Sequence, residues 1–216
     1  MIDWEYAARC LPVLLRGLSV TIQATLLGMA LALVVGLLWA ALGRSSSAAL
    51  RAMSRAVVEV VRSTPLLVQL YFLFYVLPGA GVRLSPLTTG VLGLGLHYSA
   101  YLAEVYRAGI DAVPEGQWEA AAVLGLSRRR AFVSIILPQA LSPMVPAIGN
   151  YFIAMFKDTP LLSAITVLEL LQRAKLLGAA EFRYLEPLSM VGLMLLVVSL
   201  SASRLVTKLE RRHDLT

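Results

Sequence analysis

Five stretches of this chain contain no Asp, Glu, Lys or Arg: Gly17–Gly43, Ser63–Val82, Leu84–Ala103, Ala131–Phe156 and Pro187–Ser203. A helix needs about 20 apolar residues, at about 1.5 Å each, to cross the hydrocarbon core of a bilayer. All five runs come close to that length or exceed it, whereas Asp158–Glu186 is too broken by charge to span. In hydrocarbon every backbone N–H and C=O must be bonded within the segment, so such runs are helices. The sequence predicts an all-α integral membrane protein with five transmembrane helices, residues 1–216 forming a single domain.

Composition agrees. Charged residues make up 15% of the chain, against about 25% in soluble domains, and mean hydropathy is +0.76. The first run is longer than the apolar region of a signal peptide, and "MIDWEY" is acidic where a signal is basic, so it reads as a retained span. The lone cysteine, Cys10, excludes an intramolecular disulfide and a cysteine metal cluster. The net charge of +6 is read here as topology and not as nucleic-acid binding. Arg44, Arg51, Arg55, Arg107, Arg128, Arg129, Arg130, Arg204, Lys208, Arg211 and Arg212 fall on one side. Arg9, Arg16, Arg83, Lys157, Arg173, Lys175 and Arg183 fall on the other, and Arg62 sits near a boundary. The first set lies in short loops, where basic residues mark the cytoplasm. The N-terminus is therefore expected outside and the C-terminus inside.

Local patterns refine the spans. Ala24, Gly28, Ala32, Gly36 and Ala40 repeat every fourth residue and predict a close helix–helix seam. Pro65 removes a donor and disfavours helix at Thr64, so the second span should start, bend or unwind there. Glu59 with Arg62, and Glu104 with Arg107, are spaced to pair on one helical face. His97, alone in its run, is expected to be a hydrogen-bonded packing residue. Pro138, Pro143 and Pro146 predict a broken or bent fourth span, of the kind that often lines a substrate pathway. At its far end, Asp158 suits a cationic group and is a functional candidate because it is ionisable within the membrane. Lys157–Asp158 as a helix-end ion pair is the alternative. A hydroxyl from Thr64 or Thr159 suits a carboxylate. Thr64, Gln69, Asn150, Asp158 and Thr159 form the candidate substrate-pathway set.

Between the third and fourth spans lies "EGQWEAAAVLGLSRRRAFVSIILP". Pro114 and Glu115 suit the start of a helix. Gly125 can take the left-handed position that ends it, and Ser127 can cap a second helix beginning with three arginines. The expected product is a sharp elbow at the membrane surface over about 115–138. Its first helix should present Trp118 and the alanines outward, with Arg128–Arg130 at lipid headgroup level or against an acidic partner.

The same stretch resembles the EAA signature of ABC-importer membrane subunits. Glu119, Ala120 and Ala121 are followed at the expected spacing by Gly125, Ile135, Leu137 and Pro138. The flanks "VRSTPLLVQLYF", "AYLAEVYRAGIDAVPEGQ", "LPQAL" and "KDTPLLSAITVLEL" are similar to the polar-amino-acid branch of that family. The resemblance implies the transmembrane domain of a type I importer in a bacterial cytoplasmic membrane. Glu119, Ala120, Ala121, Gly125 and Arg128 would then form a cytoplasmic coupling helix and its flank, docked on a separate ATPase homodimer. It also implies a second permease chain, the same or homologous, and an extracytoplasmic solute-binding protein. The branch usually has serine where this chain has Pro160. The segment "AITVLELLQRAKLLGAAEFRYLEPL" is most similar to permeases for ectoine and hydroxyectoine, so the cargo expected is a small polar amino acid or such a zwitterionic compatible solute.

No GxxxxGK[ST] loop, HExxH, CxxC or GxSxG occurs. The chain is therefore expected to be a transport subunit and not an enzyme, with no cofactor or metal of its own and ATP bound by the partner. An ion-gradient-driven transporter or a lipid-binding scaffold is the competing reading. The former should show internal inverted repeats and more buried ionisable groups.

Overall fold

The structure, a computed structural model, describes residues 2–213, with side chains to residue 208. Arg211 and Arg212 of the basic tail therefore lie outside the described side chains. The described residues are helical throughout, with no strand. The order is α1 (Trp4–Gly43), α2 (Ala48–Ser63), α3 (Leu66–Tyr71), α4 (Pro86–Asp111), α5 (Glu115–Val123), α6 (Arg128–Ala131), α7 (Leu137–Asp158), α8 (Leu170–Glu181) and α9 (Leu185–His213).

Among the described residues, three segments are long and apolar enough to cross a membrane: Trp4–Gly43, Arg128–Ile165 and Leu185–Lys208. The second expected span is instead a broken pair. Helix α2 stops at Ser63, the chain turns through 102°, and a second helical run, α3 with the π and 3₁₀ turns that follow it, continues to Ala80. Pro65 causes the break, as its effect on Thr64 requires: Thr64 is extended, with ψ 136°. Helix α4, in the third expected span, has 26 residues and the length to cross, but not the apolarity. It lies between α1, α2, α3 and α7, so much of its surface meets protein and not lipid. Its Gly, Ser, Tyr and His residues are tolerated for that reason.

The small-residue seam forms as expected. Ala24, Gly28, Ala32, Gly36 and Ala40 are all buried. Gly36 lies so close to α4 that an added Cβ would stand 2.9 Å from the Ser99 carbonyl oxygen. In lipid, where apolar surface gains nothing by association, such contact comes from van der Waals packing and demands small residues. The central core joins this seam to Leu94, Tyr98, Leu102, Met155 and Leu162.

Helix α1, with 40 residues, is about 60 Å long, roughly twice the hydrocarbon thickness. Its first part packs outside the central core, where Tyr6, Cys10 and Leu14 meet Leu170, Ala174 and Val191 of α8 and α9. Asp3 caps α1 by accepting from the N–H groups of Glu5 and Tyr6.

The prolines of the fourth span do not break it. Pro143 and Pro146 lie inside α7 without ending it. The irregularity falls ahead of Pro138, where Phe132–Ile136 forms a π turn, and a second π turn, Phe72–Val76, precedes Pro78. A proline ring collides with the carbonyl four residues back. Those carbonyls belong to Ser134 and Phe74, the middle residue of each π turn. Widening the turn relieves the clash without breaking the helix.

Candidate functional site

The elbow is built by local rules. Pro114 caps α5, and Glu115 sits in its first turn. At the other end, Gly125 takes φ +68°. The Leu126 N–H donates to the Ala121 carbonyl and the Gly125 N–H to that of Ala122, each at 3.0 Å. This pair of bonds is the Schellman ending. Ser127 then caps α6, its hydroxyl accepting from the Arg130 N–H at 3.4 Å. Two helices are thus locked across a single left-handed residue.

One side of the elbow is fastened. Trp118 does not face outward as expected. It stacks on Phe132 at 6.4 Å between centroids and joins a core with Val113, Ile136, Ala140 and Met144. The Gln139 amide donates to the Gln117 side chain at 3.3 Å and to the Ile135 carbonyl at 2.8 Å. On the other side, Glu119, Ala120, Ala122, Gly125 and Arg128 are exposed, while Ala121 is buried. Val123 and Leu124 form a bare apolar tip, 87% and 74% exposed. A groove of about 1050 Å³ runs along the elbow, lined by Arg44, Asp111, Glu115, Glu119, Arg128 and Arg129 among others. Arg44 and Asp111 are bridged there at 2.6 Å.

A second polar group lies within the bundle. The Gln69 amide donates to the Thr64 hydroxyl at 2.6 Å and to the Val61 carbonyl at 2.8 Å. Its carbonyl oxygen is 3.2 Å from His97 Nδ1, and His97 is buried. The rings of His97, Tyr98, Tyr101 and Tyr151 follow one another at 5.2–6.3 Å. The Tyr98 hydroxyl donates to Asp158 at 2.7 Å. Arg62 lies over the Tyr101 ring; no Glu59–Arg62 bridge forms among the described residues, whereas Glu104 and Arg107 do pair.

Thr64, Gln69 and Asp158 thus belong to one connected cluster. Asp158 is bonded to Tyr98 and forms no bridge with Lys157 among the described residues. Thr159 is buried with its hydroxyl donated back to the Phe156 carbonyl at 2.7 Å, so its proton is already taken. Asn150 is exposed on α7, outside the cluster's hydrogen bonds. The tyrosines 98, 101 and 151 went unnoticed in the sequence. The signal available was Tyr98 and Tyr101 one turn apart beside His97.

A span broken at Pro65, a polar cluster within the bundle and an exposed elbow at one end fit a subunit of a membrane transporter. The chain belongs to the family of binding-protein-dependent transport system inner membrane components, whose sequence model matches residues 11–214. It is 46% identical over 204 residues to the "Probable amino-acid ABC transporter permease protein y4tG" of Sinorhizobium fredii, covering 94% of this chain and 88% of that one. It is 35% identical to the glutamine transport system permease protein GlnP of Escherichia coli, over 97% of both chains. Among solved structures, an amino acid ABC transporter superposes with a TM-score of 0.93 at 35% identity, covering 98% and 99% of the two chains. The methionine transporter MetNI, at 19% identity and a TM-score of 0.78, shares the fold.

Proposed function

We propose that this permease subunit passes a small zwitterionic amino acid into the cytoplasm, driven by a separate ATPase homodimer that grips α5. The observation that carries the reading is the asymmetry of the elbow. Trp118 and Gln117 tie its inner face to α6–α7, while Glu119, Ala120, Val123 and Leu124 stand free for a partner. A rigid joint fastened to a transmembrane helix transmits rigid-body motion. Glu119, Ala120, Ala121, Gly125 and Arg128 are the coupling set. ATP stays on the partner, and the chain holds no cofactor.

The relatives named for amino-acid transport support the cargo class. Thr64, Gln69, Asp158 and the three tyrosines would meet the solute, with Asp158 toward an ammonium group. Counting α2–α3 and α4 gives five crossings, which would put the termini on opposite sides, and the basic residues of the short loops favour an outside N-terminus and a cytoplasmic α5 in a bacterial inner membrane. A second permease chain closes the pathway, and an extracytoplasmic binding protein delivers the solute. The resemblance of residues 164–188 to ectoine permeases supports a second cargo, the cyclic zwitterion ectoine or hydroxyectoine. Pro160, in the first turn of the 3₁₀ helix Thr159–Ile165, stands where the amino-acid branch usually has serine.

Reconstitution tests this. The chain, its ATPase and its binding protein in vesicles should hydrolyse ATP faster when the binding protein is loaded, and accumulate radiolabelled glutamine or ectoine. Uptake driven by an ion gradient without the ATPase would refute the proposal.

A further inference from the structure

Where α1 ends, a groove of about 230 Å³ opens between α1, α2 and α4, lined by Trp39, Arg51, Ser54, Arg55, Glu104 and Arg107 among others. Its depth in the membrane follows from the distribution of charge. The charge-free run 17–43 ends just past Trp39, and Glu104 is the first charge after the run 84–103. Ser54 holds α2 at that level by donating its hydroxyl to the Trp39 carbonyl at 2.8 Å. The groove therefore lies where hydrocarbon gives way to headgroups, a level that tryptophan and basic residues mark.

Its charge is not balanced within the chain. Three arginines line the groove against one carboxylate, and that carboxylate, Glu104, is taken by Arg107. Arg51 donates from Nη1 to the Ser45 and Ser46 carbonyls, each at 2.8 Å, and Arg55 donates from Nε to the Arg51 carbonyl at 3.3 Å. Neither arginine has an acidic partner among the described residues. At about 100° per residue, α2 carries Arg51, Arg55, Arg62 and Glu59 on one side of its buried Ser54 and Val58. Exposed Leu50, Met53 and Val60 lie on the other. A helix so divided fits the boundary between headgroups and acyl chains, and the chain bends by 102° on leaving it.

We propose that this groove holds the phosphate of an anionic phospholipid, with Arg51 and Arg55 as its cations and the acyl chains extending past Trp39 into the hydrocarbon. Basic pockets between membrane helices take headgroups of this kind. A lipid seated there ties α2 to the last turns of α4, the helix that leads into the elbow. The site involves neither the solute nor ATP, so it stands or falls apart from the importer reading.

The test uses the assembled transporter in detergent, with phosphatidylglycerol and phosphatidylcholine in competition and native mass spectrometry counting the lipids retained. One phosphatidylglycerol per permease chain should be kept, about tenfold in preference to phosphatidylcholine. Arg55→Gln should cut that preference about fivefold, and Arg55→Lys should keep it. Arg83→Gln, beyond the opposite end of α4, should leave it as it was. Glu104→Gln frees Arg107 and should raise the preference, which keeps the site testable should Arg55→Gln fail to assemble. Either of these two variants, once assembled, leaving the preference unchanged would overturn the inference. An equal fall in Arg83→Gln would reduce the preference to overall charge and overturn it too. Displacement of the lipid by millimolar glycerol phosphate would make this a site for soluble anions instead. Lipid held before the ATPase joins and lost afterwards would give the groove to that subunit, and either result refutes a lipid site.

Discussion

Where α1 begins, the protein closes on itself. Arg183 bonds Asp3 at 3.0 Å and Glu186 at 2.8 Å, and lies over the Tyr6 ring. The Asp3 N–H donates to Glu186, and the Tyr6 hydroxyl donates to the Leu177 carbonyl. Where α1 stops, the elbow keeps one face bare, with Val123 and Leu124 in the open. Asp3, Arg183 and Glu186 are satisfied within the chain, while much of the elbow has no partner inside it. One region is built to hold still and the other to be held. Substitutions in the first should change stability and leave coupling alone, and substitutions in the second should do the reverse.

The largest effect is expected at Gly125. An added side chain would meet no atom within 4 Å, so the position is constrained by its backbone alone. A β-branched residue at φ +68° costs about 1–2 kcal/mol in the left-handed region, enough to unlock the angle between α5 and α6. Gly125→Val is expected to insert normally yet lose ATP-driven uptake at least tenfold, with basal hydrolysis retained. Normal uptake, or failed insertion, would erase the distinction between the two regions.

A smaller effect is expected from Arg183→Ala. It leaves Glu186, buried at the start of α9, without its cation, and frees Asp3. The thermal midpoint in detergent, followed by tryptophan fluorescence, should fall by several degrees. The ratio of uptake to ATP hydrolysis in the molecules that remain folded should not change. A changed ratio would mean that the clasp also moves in the transport cycle.

The elbow was legible in the sequence because its rules are local. Glycine after an alanine-rich turn, then Ser before Arg-Arg-Arg, specifies a C-terminal stop and an N-cap without help from distant residues. The α1 seam was legible because small residues at a four-residue period have few other uses in lipid. What failed was inference that needed to know the neighbour. Counting charge-free residues does not distinguish α4, packed between α1, α2, α3 and α7, from the more apolar α1. The neighbour that Trp118 meets, Phe132, lies past the Gly125 turn, so its own helix does not announce it. Tyr98 and Asp158 are 60 residues apart, and nothing in either segment announces the other.

The smallest effect, and the one that sharpens the comparison most, concerns Glu169. It is fully buried and caps α8, accepting from the Leu171 and Gln172 N–H groups at 2.8 and 2.7 Å, between the apolar spans. Burial pushes its carboxyl up to about 7, against the pull of those two N–H groups and of Lys175. Because the folded protein holds the proton more tightly than the unfolded chain, Glu169 favours folding most below the ordinary carboxylate range. That contribution declines as pH rises from about 4.5 to about 7 and is gone above it. Between about pH 5 and pH 8 the loss is on the order of 2 kcal/mol. Glu169→Gln keeps a carbonyl oxygen for the cap and cannot ionise. Its thermal midpoint should therefore lack this part of the decline toward alkaline pH, while Gly125→Val retains it in full. An unchanged pH slope in Glu169→Gln would show that the two N–H bonds hold the carboxylate charged despite its burial. The closed region would then be stabilised by that charge, not strained by it.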